Sequence, residues 1–259
     1  MLRVLTTTLC YPTPEHPDQG IFVQRRAMGL AERGEDVRVV SPQPWCPLLR
    51  RSRAIPDQAS PLPATYPRML SIPVLNWVTD GVAFGRALEQ HILARGGPGT
   101  IDLIDAHFEY PDGVGAWLAA RRLNIPVVVT VRGKIVSLSK RKVRRMQIAA
   151  MLRGVDARIA VSRSLAEWVR RVAGSDLDID VIPNGVESAT FHAVGRAEAR
   201  ANQSWHPNAR YLLAVGHLQK VKGFDRIIAV MPELRARLGD VRLVLAFDPE
   251  RLLKSAAVT

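Results

Sequence analysis

The 259-residue sequence has little cysteine and no long apolar run. Cys10 and Cys46 are too few and too far apart for a disulfide framework or a metal knuckle, so we expect a reducing compartment and neither a structural nor a catalytic metal. The best apolar run, Ile125 to Val131, is strand-sized and well short of the roughly 18 residues that a membrane span needs. Met1 to Cys10 is soon followed by Pro12 and Pro14 and lacks a small-residue cleavage site, which does not read as a signal peptide. These absences predict a cytoplasmic protein. The chain also lacks a G-x-x-x-x-G-K-[ST] run, which argues against a P-loop nucleotidase, and it shows no internal repeat.

Hydrophobic residues make up 47% and charged residues 23%, enough apolar material to bury a core. The length suits one large or two modest domains. The formal net charge of +12 favours an anionic partner, whether nucleic acid, membrane phospholipid or phosphorylated substrate.

Strands and helices alternate along most of the chain. A β-rich start at Leu2 to Leu9, a loop, a helix beginning at Phe22 and ending at Gly34, and a strand at Val37 to Val40 make one βαβ unit. The proline-rich stretch 42–73 reads as a surface excursion. Helices are predicted at 82–94, 114–123, 141–153 and 164–172, with strands at 101–106, 126–131, 157–161 and 179–182 between them. This order predicts an α/β fold with a doubly wound parallel sheet over residues 1–186. Residues 187–208 read as a linker. Strand 211–215, helix 225–238 and strand 241–246 then begin a second Rossmann-like unit over 209–259, too small to enclose its own core.

In such sheets ligands bind beyond the carboxyl ends of the strands, so the loops there carry the candidate sites. Gly20 stands just before the first helix, where it suits a phosphate approaching a helix N-terminus; taken alone, an ordinary turn glycine is the commoner reading. Gly113-Val114-Gly115 imitates a dinucleotide fingerprint, but Leu118 occupies the third glycine position, which excludes a Rossmann dehydrogenase. The loop Gly216 to Gly223 sets Lys220 and Lys222 at a helix start, a plausible diphosphate cradle or a solvated basic turn. His107, Glu109 and Asp112 cluster after a strand and could hold a polar substrate or exchange protons with it.

From Arg132 to Arg153 there are Lys and Arg residues but no acids, with Val143, Met146, Ala150 and Met151 at helical spacing. Arg141, Lys142, Arg144 and Arg145 could face an anionic membrane, or the helix could be a solvated basic face over a core stripe. No aromatic residue interleaves with these charges, which speaks against nucleic acid.

The ordered set Asp18 to Val23, Ala106 to Gly113, Val129 to Gly133, Ala160 to Ser162, Val181 to Val186 and Gly216 to Gly223 resembles family 4 glycosyltransferases of the two-lobe GT-B type, especially bacterial enzymes of cell-surface glycan synthesis. The resemblance implies sugar transfer from a nucleotide-sugar donor to a glycan or lipid-linked acceptor with retention, without a cofactor. It implies donor contacts from Gly20, Ser162, Asn184, Gly185, His217, Lys222 and Gly223. Arg132 and His107 would be the catalytic pair, with Glu109 and Tyr110 on the acceptor side. The sequence departs from the family pattern at Ile135, where relatives often carry Asp, and at His217, where a donor-binding Arg is common. The family's two-glutamate motif would lie beyond Thr259, so the expectation is a C-terminally shortened enzyme of impaired activity at the inner face of the membrane. The alternative expectation is a non-catalytic membrane-surface or assembly module that self-associates through its unfinished C-terminal sheet.

Overall fold

Short runs of β-branched residues pair side by side to build the main sheet of the computed structural model, which describes residues 1–47, 55–58, 61–216 and 218–247. In chain order the elements begin with β1 (Arg3–Thr7), α1 (Ile21–Ala31), β2 (Asp36–Val40), β3 (Gln43–Trp45), β4 (Ala64–Thr65) and β5 (Arg68–Leu70). There follow α2 (Asn76–Ala94), β6 (Leu103–His107), α3 (Val114–Leu123), β7 (Val127–Val131), α4 (Ile135–Leu138), α5 (Lys142–Gly154), β8 (Ala157–Ala160), α6 (Arg163–Ala173) and β9 (Asp180–Val181). The chain continues through α7 (Arg196–Asn202), β10 (Arg210–Val215), α8 (Phe224–Leu238) and β11 (Val241–Ala246).

Residues 1–185 and 186–259 are two compact units. The first holds a seven-stranded parallel sheet in the order β4-β2-β1-β6-β7-β8-β9. β7, Val-Val-Val-Thr-Val, is buried at every position, as a central strand with helices on both faces should be. The chain leaves β1 toward β2 and β4, then returns to add β6 and later strands on the other side. The carboxyl ends of β1 and β6 therefore flank the topological switch point, where an open α/β sheet forms its crevice.

Period-two alternation sorts the side chains of β6. Ile104 and Ala106 join the larger core with Phe84, Leu88, Val129 and Ile148, while Asp105 and His107 project to the opposite face. A smaller core of Val4, Val23, Ala27, Val37, Val39 and Ala64 lies beneath α1. Burying side chains such as Phe84, Leu88 and Ile92 contributes about 1.5 to 3 kcal/mol each.

The excursion 42–73 is more ordered than its composition suggested. β4 extends the main sheet from β2, β3 pairs with β5 in a separate parallel ribbon, and Leu62, Tyr66 and Met69 are buried. Residues 48–54 and 59–60 of it lie outside the described residues. Helix α7 occupies part of the stretch expected as a linker. The basic helix α5 also turns a different face inward: Ile148, Met151 and Leu152 are buried, whereas Val143 and Met146 are exposed. Of the expected stripe only Met151 is a core residue, because its neighbours Val143, Met146 and Ala150 lie on the other side of the helix.

In the second unit β10 and β11 pair in parallel from Arg210↔Val241 to Val215↔Ala246, with α8 joining them. Leu213 and Val215 on this sheet are exposed. Among the described residues no helix is long and apolar enough to cross a membrane.

Gly115, part of the sequence that only imitates a dinucleotide fingerprint, serves packing between α2 and α3. A Cβ there would lie 2.6 Å from Phe84 Cδ1 and 2.8 Å from the Gly81 carbonyl oxygen. Across the seam a Cβ on Gly85 would meet the Gly115 carbonyl oxygen at 2.9 Å. Gly115→Ala is expected to overpack this seam and lower stability by about 2 kcal/mol. Urea unfolding of the variant beside the native chain measures the loss.

Candidate functional site

Register aligns the strand ends: Thr7 lies opposite both Val40 and Ala106, and Ala106 opposite Val129. The loops after β1, β6, β7 and β9 consequently converge on one edge of the sheet. Gly20 ends the first of these loops with φ 72° and begins α1. A Cβ at this position would lie 1.9 Å from the Cys10 carbonyl oxygen, so the left-handed backbone and the close loop contact both demand glycine. No side chain caps the helix start and its first turn carries no acid, which leaves positive helix-dipole potential at the crevice.

Arg132 follows β7 and is the centre of the site. Its Nε donates to His107 Nδ1 at 3.1 Å, its Nη1 donates to Asn184 Oδ1 at 2.7 Å, and its guanidinium carbon stands 4.8 Å from the Phe22 ring centroid. Phe22 meets Phe108 edge to face at 6.0 Å, and Lys134 lies over Phe108 at 5.2 Å. Two cations and two aromatic rings thus join the β6 and β7 loops to the first turn of α1. Burial lowers the Arg132 pKa to about 10, helped by the neighbouring charge of Arg26, and the group stays cationic at neutral pH.

His107 is wholly buried, and its Nε2 lies 3.1 Å from Asp105 Oδ2. A guanidinium can only donate, so Nδ1 must accept, and Nε2 therefore carries the proton and donates to Asp105. Burial pushes the imidazole toward its neutral form, and Arg132 and Arg26 add to that push against Asp105. Burial also opposes charge on Asp105, yet His107 with Arg26 and Arg132 outweighs it and holds the carboxyl below its ordinary value. Both ring nitrogens are engaged in this way, and His107 fixes the direction of the Arg132 Nε.

Glu109 and Tyr110 are both buried. Glu109 is fully buried below the β7 loop, its Oε1 accepting from the Arg132 N–H at 2.9 Å while Oε2 has no hydrogen-bond partner. Desolvation raises its pKa to about 7, with Asp112 contributing and the backbone N–H groups opposing. Tyr110 is buried against α2, donates to the Asn76 carbonyl at 2.9 Å and lies under Arg144 at 4.8 Å. Both side chains point into the packing behind the crevice. Asp112 binds the first loop, accepting from Thr8 Oγ1 at 3.0 Å and Leu9 N at 2.5 Å, and burial raises its pKa to about 6.

Ser162 caps α6, its Oγ accepting from Leu165 N at 3.3 Å. Asn184 is exposed and joins the site through Arg132, with Gly185 next in the chain. Lys222 and Gly223 belong to the second unit, where Gly223 at φ 69° begins α8; His217 lies outside the described residues. Among the proposed membrane-facing residues, Arg141, Lys142 and Arg145 are exposed. Arg144 is not: it is half-buried, stacked on Tyr110 and donating to the Trp77 carbonyl at 3.2 Å.

Sequence reading missed Asp105, Arg26 and Phe22 as members of the site. The Asp105-x-His107 spacing was a signal for the first, since residues two apart on a strand share a face. Phe22 and Arg26 stand four apart on one face of α1, but what they meet was not visible. Among the described residues no group of three or more His, Cys, Asp or Glu could hold a metal ion.

The model of the family described as Glycosyltransferase Family 4 matches residues 19–190. A Bacillus subtilis protein named "Putative teichuronic acid biosynthesis glycosyltransferase TuaC" is 25% identical over 251 residues, covering 90% of this chain and 63% of that relative. A D-inositol 3-phosphate glycosyltransferase of Nocardia farcinica is 26% identical over 279 residues, covering 98% and 56% respectively. The chain therefore spans about three-fifths of the length of these curated relatives. Among solved structures, a sucrose-phosphate synthase from Thermosynechococcus elongatus superposes with a TM-score of 0.70 at 18% identity, over 100% of this chain and 67% of that one. Anabaena HepE, solved with UDP and glucose, gives 0.63 at 14% identity, over 99% and 64%. These two likenesses show the shared GT-B fold.

Glu109 binds its proton more tightly folded than unfolded, so folding takes up a proton between its ordinary pKa of 4.5 and its native value of about 7. Its contribution to stability is full below that window and is lost as pH rises through it. Glu109→Gln is expected to flatten the fall in stability across this range by up to about 3 kcal/mol, read as urea midpoints against pH.

Proposed function

The chain belongs to glycosyltransferase family 4, and from that premise we propose that it serves transfer of a sugar from a nucleotide-sugar donor to a glycan or lipid-linked acceptor, with retention, at the inner face of a membrane. The observation that carries this reading is the oriented Arg132 guanidinium at the switch-point crevice, held by His107, Asn184 and Phe22. When the bond between the sugar and the diphosphate breaks, negative charge collects on the departing phosphate. A cation already fixed in a partly dehydrated crevice stabilises that charge without reorganising during the reaction. The uncapped start of α1, brought close by Gly20, adds backbone N–H groups of the same polarity.

Each neighbouring group acts on Arg132. His107 sets the direction of Nε, Asp105 keeps the imidazole in the tautomer that can accept from it, and Phe22 supports the flat face of the guanidinium. Glu109 anchors the backbone from which the side chain departs. In the second unit, taken by itself, Lys222 and Gly223 set a cation beside the start of α8. The Anabaena neighbour solved with UDP and glucose supports a uridine diphosphate sugar as the first donor to try.

The test is UDP release from UDP-glucose and other nucleotide sugars, with membrane lipid extracts and glycans as acceptors, together with direct titration of each donor. Arg132→Ala is expected to lower turnover about 100-fold or more, the usual cost of removing one preorganised electrostatic group. Arg132→Lys should recover little, since an ammonium cannot reach His107 and Asn184 together in the guanidinium geometry. Neither donor binding nor release with any nucleotide sugar, or an Arg132→Ala variant of native activity, would sink the reading.

A further inference from the structure

The layer between α1 and the main sheet is polar as well as buried. On β1, Leu5 joins the larger core and Val4 the smaller one beneath α1, so strand alternation turns Thr6 toward α1 too. On β6 the same rule turns Asp105 and His107 to that side, and the register sets Asp105 directly opposite Thr6. Into this layer α1 sends Arg26, one turn beyond Phe22 on the same helix face. Arg26 Nε lies 3.9 Å from Asp105 Oδ2, with the Asp105 side chain 2% exposed and that of Arg26 27% exposed.

At that separation the two groups form an ion pair and not a hydrogen bond, and Arg26 Nε makes no hydrogen bond among the described residues. What Arg26 delivers to Asp105 is therefore charge. The same carboxylate oxygen lies 3.1 Å from His107 Nε2, and His107 Nδ1 accepts from Arg132 Nε at 3.1 Å. A line of four groups thus runs from Arg26 on α1 through Asp105 and His107 on β6 to Arg132 after β7.

A buried carboxylate without a cation beside it is costly and tends to take up a proton. Burial does oppose charge on Asp105, and His107, Arg26 and Arg132, in that order, overcome it. The neighbouring strands meet Asp105 with Thr6 and Val128, which do not titrate. Of the charged groups around it, Arg26 alone stands outside the His107–Arg132 contact. Were Asp105 to gain a proton from solvent, its hydroxyl would donate to His107 Nε2 and the ring's own proton would lie on Nδ1. The hydrogen bond from Arg132 would then be lost, because a guanidinium and a ring N–H are both donors. Were Asp105 to stay charged without Arg26, its uncompensated negative charge would weaken the positive potential of Arg132 at the crevice. Either response costs the site.

We propose that Arg26 is a further positioning residue for sugar transfer: as the counter-cation of Asp105 it holds His107 in the tautomer that accepts from Arg132. The inference deepens the reading of Arg132 above and rests on it. It makes the direction of a side chain after β7 depend on a charge carried by α1.

Nitrogen NMR of the full chain carrying ring-labelled histidine reads the tautomer, with His107→Gln assigning the signal. The native chain should show His107 protonated at Nε2 at neutral pH. Arg26→Gln and Arg26→Met, two neutral side chains of different shape, should each move the ring toward the Nδ1-protonated form, while Arg26→Lys keeps the charge and should stay native. Turnover of the nucleotide sugar should follow, with kcat about tenfold lower in both neutral variants, KM changed less, and recovery in Arg26→Lys, since a misdirected group loses part of its proximity effect. Recovery by lysine distinguishes this position from Arg132. The acid-side fall in turnover should also move to higher pH in the neutral variants, because Asp105 then takes up its proton more readily. Arg25→Gln, at the exposed neighbouring position of α1, is the control and should change none of these readings.

A His107 signal that stays native in both neutral variants would overturn the proposal. Equal losses of turnover in Arg26→Lys and Arg26→Gln would overturn it too, since packing and not charge would then be what matters. A tautomer that moves as expected in a chain that neither binds nor cleaves any nucleotide sugar would support the link from Arg26 to His107 and overturn the transferase reading alone.

Discussion

The candidate site depends on one side chain, Arg132, being held in a single direction. Its guanidinium joins the end of β7 to His107 at the end of β6, to Asn184 after β9 and to Phe22 in the first turn of α1. An arginine in water samples many rotamers, and fixing it costs conformational entropy. That cost is offset here by charge-assisted hydrogen bonds and an aromatic face in a partly dehydrated crevice. The arrangement stands only because a parallel sheet in aligned register delivers these strand ends to one edge.

Behind Arg132 is a polar layer that is unusual for its depth. Asp105, His107, Glu109 and Asp112 are all nearly or fully buried, where an unpaired charge is costly. The structure answers each differently. Asp105 remains charged beside His107 and two arginines, Asp112 is tied to the β1 loop, and Glu109 is raised toward neutrality with one oxygen lacking a hydrogen-bond partner. The layer couples the position of the β1 and β7 loops to the protonation of two acids. The same loops carry Gly20 and Arg132, so crevice geometry and carboxyl protonation are linked through backbone contacts.

Much of the architecture was legible because parallel α/β units announce themselves in sequence. Apolar runs such as Val127 to Val131 have no other use than a strand covered on both sides, and the alternation of such runs with helical patterns predicted the doubly wound sheet. The crevice loops were legible for the same reason, since they follow the strands. What misled was local composition. The proline-rich excursion still supplied β4 to the edge of the sheet, and the apolar stripe assigned to α5 divided between core and surface. Prolines restrict but do not forbid edge pairing, and a helix with apolar residues on two sides cannot declare which one turns inward.

By itself, then, the sequence determined the order of strands and helices outside the excursion 42–73 and the stretch 187–208, the location of Gly20, His107, Arg132 and Asn184 in loops after strands, and the excess of positive charge. These follow from periodicity, turn chemistry and composition, all local properties. Only the tertiary structure decided that His107 Nδ1 meets Arg132 and that Glu109 and Tyr110 point inward. Those outcomes rest on contacts between residues 23, 25 and 34 apart in the chain, which depend on strand order and helix rotation. A pattern read along the chain carries neither.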